Sequence, residues 1–240
     1  MTVRLAVWSG PRNISTALMR AWENRPDTRV VDEPLYAFYL DRTGLNHPAR
    51  EEVVAAGEPD WRVVVEELTG APVDGVYYQK HMTHHLIPEL PREWISALSN
   101  VLLIRDPAEV VASYVRSRAD VVADDIGLVQ QTELYDLLGA EAGGVPVVDA
   151  ADFLRAPETY LRWWCDHLGI DFTDAMLHWP AGPRDSDGVW APHWYDAVLA
   201  STGFEPYRPR EIPDLPPEAQ AAVDDSRPHY ERLHAARIVF

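Results

Sequence analysis

Apolar residues along the chain fall into two kinds of run. The short ones, "VRLAVWS", "TRVVDEP", "GVYYQKH", "NVLLIRD" and "VPVVDA", have the length and the valine-rich make-up of strands, and longer segments between and after them repeat at helical spacing. That alternation predicts an α/β protein: a mostly parallel sheet of about five strands in a three-layer α/β/α sandwich. "STALMRAWENR" sets Ala17, Leu18, Ala21 and Trp22 on one stripe and is expected to be a helix. "DWRVVVEELTG" closes on Gly70, a candidate C-terminal cap, while "PREWISAL" and "PAEVVASYVRSR" each open on a proline suited to a first helical turn. In "APETYLRWWCDHLGI", Tyr160, Leu161, Trp164 and Leu168 are expected in the core. From about Gly182 the texture turns proline-rich and aromatic, which suggests a loop-rich cover on one domain spanning 1–240, with a last helical run from Pro217.

Charge narrows the partners. Lys and Arg number 21 against 38 Asp and Glu, a net charge of -17, so the surface repels nucleic acid and acidic membranes, and any anionic ligand must be held by a few local positive groups. The single cysteine, Cys165, excludes an internal disulfide and a Cys-rich metal site, and reads as a buried helix residue. No apolar run approaches the ~18 residues of a membrane span, and no signal-peptide pattern opens the chain. A soluble, cytoplasmic protein is the expectation; a homodimer is left open.

The stretch "WSGPRNISTALMR" is the first with chemistry in it. A strand that ends in a Gly-containing turn and feeds a helix presents unpaired N–H groups and the positive end of the helix dipole, a setting that attracts phosphate or sulfate. Arg12 can grip two oxygens of a tetrahedral anion, and the hydroxyls of Ser15 and Thr16 can add one bond each. The competing reading is an ordinary cap, with Asn13 or Ser15 capping the helix and Arg12 in solvent. Neither GxGxxG nor GxxxxGK[ST] is present.

"GPRNISTAL" resembles the 5'-phosphosulfate loop of the sulfotransferases that use 3'-phosphoadenosine 5'-phosphosulfate (PAPS), a family with a fold like that of the P-loop NTPases. Pro11 falls on the loop's proline, Arg12 on its lysine, and Ser15 and Thr16 on its two hydroxyl residues. By that resemblance Gly10, Pro11, Arg12, Asn13, Ile14, Ser15 and Thr16 hold the 5'-phosphate and sulfate of the donor. "RDPAEVVAS" is similar to the same family's 3'-phosphate motif, which assigns that phosphate to Arg105 and to Ser113, eight residues on. The family closes its nucleotide pocket with a late Arg- and Gly-containing loop, which here implies Arg184 and Gly188, with Trp190 stacking on the base. A phosphoryl-transferring kinase and an inactive nucleotide binder are the alternatives. The missing phosphate-loop lysine and glycine argue against the first, and the residues considered next argue against the second.

Sulfuryl transfer to a hydroxyl or amine needs a base near Arg12. Glu33 ends the second strand, which is expected next to the first in a doubly wound sheet, so that Glu33 would lie beside the loop. Some relatives carry a glutamate there as base. Lys80 and His81 end the third strand, where other relatives carry a Lys-Thr-His; Met82 falls on their histidine, and His81 and His85 are out of step. Glu33 is therefore the expected base, with His81 or His85 as the alternative and Lys80 contacting the transferring sulfate or the acceptor. Two histidines in "HMTHH" could share a metal, but the chemistry needs none. The acceptor is expected to be a small molecule.

Overall fold

The structure is a computed structural model that describes residues 2–115, 121–139, 144–209 and 211–240. All five expected strands form: β1 (Thr2–Ser9), β2 (Thr28–Asp32), β3 (Gly75–Met82), β4 (Ser99–Ile104) and β5 (Val147–Asp149). They pair in parallel in the order β2-β3-β1-β4-β5. Parallel strands joined by helical crossovers are covered on both faces, so successive residues of each strand enter different cores. Leu5, Val7, Tyr78 and Leu103 pack with Leu18 and Trp22 of the helix Ser15–Glu23 and with Leu161 and Trp164 of the helix Pro157–Leu168. Ala6, Trp8, Tyr77 and Leu102 face the other way, against Val64 and Leu68 (helix Trp61–Gly70), Val110 and Val111 (helix Pro107–Tyr114), Leu134 (helix Leu128–Gly139) and Val223 (helix Pro217–Ala235). Each of these large apolar side chains contributes about 1.5–3 kcal/mol by leaving water.

Strand order corrects one expectation. β2 does not lie beside β1; β3 stands between them. Glu33 therefore reaches the centre of the sheet edge only through a residue of β3. Local hydrophobic pattern fixes where strands are, but their order depends on how the crossovers pack.

Several helices differ from the pattern. "PREWISAL" folds as the short 3-10 helix Glu93–Ala97 rather than as an α-helix. Gly70 is the last residue of its helix rather than the cap, which is Ala71, and Leu168 and Ala17 are only half-buried. The helix expected over 107–118 is described as Pro107–Tyr114; residues 116–118 lie outside the described residues. The helices Tyr36–Thr43, Arg50–Ala56 and Leu128–Gly139 were not among the expected elements.

Candidate functional site

The opening turn leaves the carboxyl end of β1, the central strand. A Cβ on Gly10 would fall 2.1 Å from the carbonyl oxygen of Ile126, so no side chain fits there. Arg12 and Ile14 both take left-handed backbone, at φ 56° and 48°, which costs about 1–2 kcal/mol per residue without glycine. Left-handed kinks of this kind can turn successive backbone N–H groups toward an anion. The capping alternative is not what forms: the N-cap position is Ile14, with no side-chain hydrogen bond to the helix. Asn13 instead donates to the Leu103 carbonyl at 2.7 Å, tying the turn to β4. Ser15 is buried in the first helical turn, while Pro11 and Thr16 are half-buried.

The turn and the loop after β4 interlock. Arg12 Nε donates to Ser113 Oγ at 3.1 Å and its Nη1 to the Trp194 carbonyl at 3.4 Å. Arg105 Nη1 donates to the Arg12 carbonyl at 2.7 Å. Arg12, Arg105 and Ser113, singled out by two separate motifs, thus form one cluster. The other edge of Arg105, Nε and Nη2, holds Glu109 Oε2 at 3.0 and 2.8 Å. Tyr207 donates to the second Glu109 oxygen at 2.7 Å; that bond, with burial, pushes the phenol up to about 12.

A second cluster lies at the ends of β2 and β3. Lys80 is 1% exposed, and its ammonium donates to Asp32 Oδ1 at 2.7 Å, Glu33 Oε1 at 2.6 Å and the Tyr195 hydroxyl at 2.9 Å. An ammonium has three protons, so all of its donors are engaged. Tyr195 in turn donates to Asp32 Oδ2 at 2.5 Å and accepts from Trp190 Nε1 at 3.2 Å. Glu33 extends the ladder by one residue, its N–H donating to the Lys80 carbonyl at 2.9 Å, and turns away at φ 42°. Burial pushes its carboxyl up; Lys80 opposes the shift without cancelling it, and Asp32 adds to it. For Lys80, burial favours the neutral amine, but Asp32 and Glu33 override it and hold the ammonium charged.

The consecutive residues Trp194 and Tyr195 connect the clusters, one accepting from Arg12, the other from Lys80. They belong to the segment after Gly182, clasped to the helix Ser15–Glu23 by a second buried pair: Arg20, fully buried, donates to both oxygens of Asp187 at 2.5 and 2.7 Å, and Ser186 donates to Glu23 at 2.5 Å.

Other expected residues go elsewhere. His81 points into the opposite core, stacked on Trp8 at 4.0 Å and bonded to Gln79, and burial lowers its pKa to about 3. It lies next to Lys80 in sequence, so strand alternation sends it to the other face. His85 is buried between Tyr36 and Tyr39, each stacked at 4.8 Å, and burial keeps it neutral. Tyr36 bonds His47 and carries a phenol that burial, then Glu33, pushes up, which puts this aromatic cluster beside the Glu33 carboxylate. Arg184, Gly188 and Trp190 bond and pack with partners other than Arg105 and Ser113. The Arg184 N–H donates to Asp187 and the Gly188 N–H reaches Asp32 Oδ2 at 3.4 Å; Trp190 packs on Tyr36 and fills the space a Cβ on Gly188 would need. Sequence reasoning missed Tyr195, Trp194, Glu109 and Tyr207; only Glu109, four residues after Arg105 on a helix, carried a legible ion-pair spacing.

Among the described residues, no group of three or more His, Cys, Asp or Glu is arranged to hold a metal, and no helix is long and apolar enough to cross a membrane. A surface cavity of about 420 Å³, lined by Thr2, Arg4, Asn100 and Pro146, sits at the amino ends of the strands, away from both clusters.

Comparison with known proteins bears on this arrangement. Branched-chain-amino-acid aminotransferase-like protein 1 of Arabidopsis thaliana is 39% identical over 230 residues, covering 95% of this chain and 41% of that protein. Branched-chain-amino-acid aminotransferase-like protein 2 of the same plant is 36% identical over 211 residues, 88% of this chain and 37% of its own. The chain thus spans about two fifths of the length of these curated relatives, which the name covers as wholes. The sulfotransferase domain of the Synechococcus PCC 7002 olefin synthase shares the fold, with a TM-score of 0.54 over 94% of both chains at 17% identity. The sequence model of the sulfotransferase domain matches residues 3–235, and on that match this chain belongs to the sulfotransferase domain family.

Proposed function

We propose that the protein transfers a sulfuryl group from PAPS to a hydroxyl or amine of a small-molecule acceptor, within one domain formed by residues 1–240. The observation that carries this reading is the Trp194–Tyr195 bridge, which sets the arginine cluster and the carboxylate cluster side by side at one sheet edge. In α/β sheets ligands bind at that edge.

Gly10 to Thr16 wrap the donor's 5'-phosphate and sulfate, with Arg12 countering charge on the equatorial oxygens, and Arg105 and Ser113 take the 3'-phosphate. Arg12 stands where the resembled loop has lysine, and its planar fork supplies two parallel donors in place of a point charge. Glu33 accepts the proton from the acceptor as the new S–O or S–N bond forms. The bond from sulfur to the phosphate's bridging oxygen breaks with its electron pair, and adenosine 3',5'-bisphosphate leaves. Positioning and electrostatics account for most of such a reaction, as in phosphoryl transfer.

With its donors engaged by Asp32, Glu33 and Tyr195, Lys80 acts as the counter-ion that keeps Glu33 ionisable inside the fold, in place of the sulfate contact that its sequence position suggests. The neutral aromatic wall of Tyr36, Tyr39 and His85 suits an uncharged acceptor surface. Calorimetry with adenosine 3',5'-bisphosphate in the absence of magnesium tests the donor half of this reading, and binding is expected. A screen of acceptors with PAPS, followed by release of the bisphosphate, tests the transfer; no release from any hydroxyl or amine class would defeat it.

A further inference from the structure

The two groups assigned to the donor's 3'-phosphate are both engaged within the protein. Ser113 Oγ accepts from Arg12 Nε. Arg105 spends one terminal nitrogen on the Arg12 carbonyl and its whole Nε–Nη2 edge on a single Glu109 oxygen, at 3.0 and 2.8 Å. That edge is how a guanidinium grips an anion, and a carboxylate is held there by the charge-assisted bonds a phosphate would otherwise take. Nor is Glu109 a loose surface partner. The side chains of Arg105 and Glu109 are only 18% and 12% exposed. The other Glu109 oxygen is held at 2.7 Å by Tyr207, which arrives from the C-terminal cover and stacks its ring under Arg155.

We propose that Glu109 is an internal competitor for the 3'-phosphate: its carboxylate occupies the anion-gripping edge of Arg105, gives that edge up when a 3'-phosphorylated nucleotide binds, and so sets how tightly such nucleotides are held. The proposal rests on the donor reading above. A 3'-phosphate arriving at Arg105 meets a carboxylate of the same sign, so part of its attraction to the arginine goes into displacing Glu109. The same contact favours product departure, since Glu109 re-forms its pair as adenosine 3',5'-bisphosphate leaves. A carboxylate that merely aimed Arg105 at the ligand would act in the opposite sense, and removing its charge would weaken binding.

The sign of that effect is measurable. Wild type and Glu109→Gln are titrated with adenosine 3',5'-bisphosphate and with adenosine 5'-monophosphate, which lacks the 3'-phosphate. Glu109→Gln is expected to bind the bisphosphate about tenfold more tightly, the scale of one charge-assisted hydrogen bond, and the monophosphate within about twofold of wild type. Tyr207→Phe, which loosens Glu109 without removing its charge, is expected to shift bisphosphate affinity in the same direction by less. Bisphosphate binding that is unchanged or weaker in Glu109→Gln overturns the competitor role and leaves the donor reading standing. Failure of wild type and both variants to bind the bisphosphate at all overturns the donor reading, and this proposal with it.

Discussion

The arginine cluster and the lysine cluster share one sheet edge but hold their charges differently. Arg12 and Arg105 sit on turns after β1 and β4, are half-buried, and bond to a serine, two carbonyl oxygens and one glutamate. Both side chains lie only partly buried, so their partners can be exchanged for a ligand. Lys80 is sealed under the segment after Gly182, with every proton given to Asp32, Glu33 or Tyr195. Its partners cannot be changed without leaving a buried carboxylate exposed to its own desolvation. One half of the edge is built to trade contacts, the other to hold a fixed protonation state, and the variants below should separate the two.

The largest effect is expected from Glu33→Gln. Loss of the base should cut turnover by about 10²–10⁴-fold while the affinity for adenosine 3',5'-bisphosphate stays the same, since glutamine still offers Lys80 an oxygen. Turnover close to wild type would move the base elsewhere, with His85 the next to test. Lys80→Met should cost about 3–5 kcal/mol of stability in urea unfolding, because Asp32 and Glu33 lose their shared counter-ion inside the fold. A loss near zero would show that the lysine half is as exchangeable as the arginine half. Arg12→Ala should weaken bisphosphate binding by about 1.5–3 kcal/mol, the range for a charge-assisted contact, with much less effect on unfolding than Lys80→Met. The smallest effect is one of pH. Burial raises the Glu33 carboxyl above its ordinary 4.5, so the group protonates earlier as the pH falls. The acid limb of turnover should therefore have its midpoint above that value, and Arg12→Ala should leave the midpoint in place.

Residues read from the sequence meet the structure unevenly. Strand positions were legible because buried parallel strands are short apolar runs with turn residues around them, and all five formed. Arg12 and Arg105 could be read as neighbours because each lies at a strand-to-helix turn, and Ser113 because it stands on the helix Pro107–Tyr114 that follows Arg105. The position of β2 was not legible: which strand neighbours which is decided by helix packing on the two faces, and no residue of "TRVVDEP" encodes it. His81 misled for a related reason, since one residue's shift along a strand reverses the face. Tyr195 and Tyr207 come from a proline-rich stretch with neither helical nor strand period, so no pattern forecast which side chains would reach Lys80 and Glu109. Asp32, the last residue of β2, sits between Lys80 and Tyr195.

The clasp between Arg20 and Asp187 joins positions 167 residues apart. Closing so long a loop has a high entropic cost, which is offset only after the apolar layers on both sides of the sheet have formed around it. Lys80 waits on the same event, because Tyr195 follows Asp187 by eight positions and arrives with it. During refolding the sheet is expected to precede the edge chemistry, and a chain still emerging at residue 180 would contain all five strands and both arginines. Without the clasp it would leave Lys80 and its two carboxylates open to water. Competence to react is thus among the last properties the chain acquires as it folds.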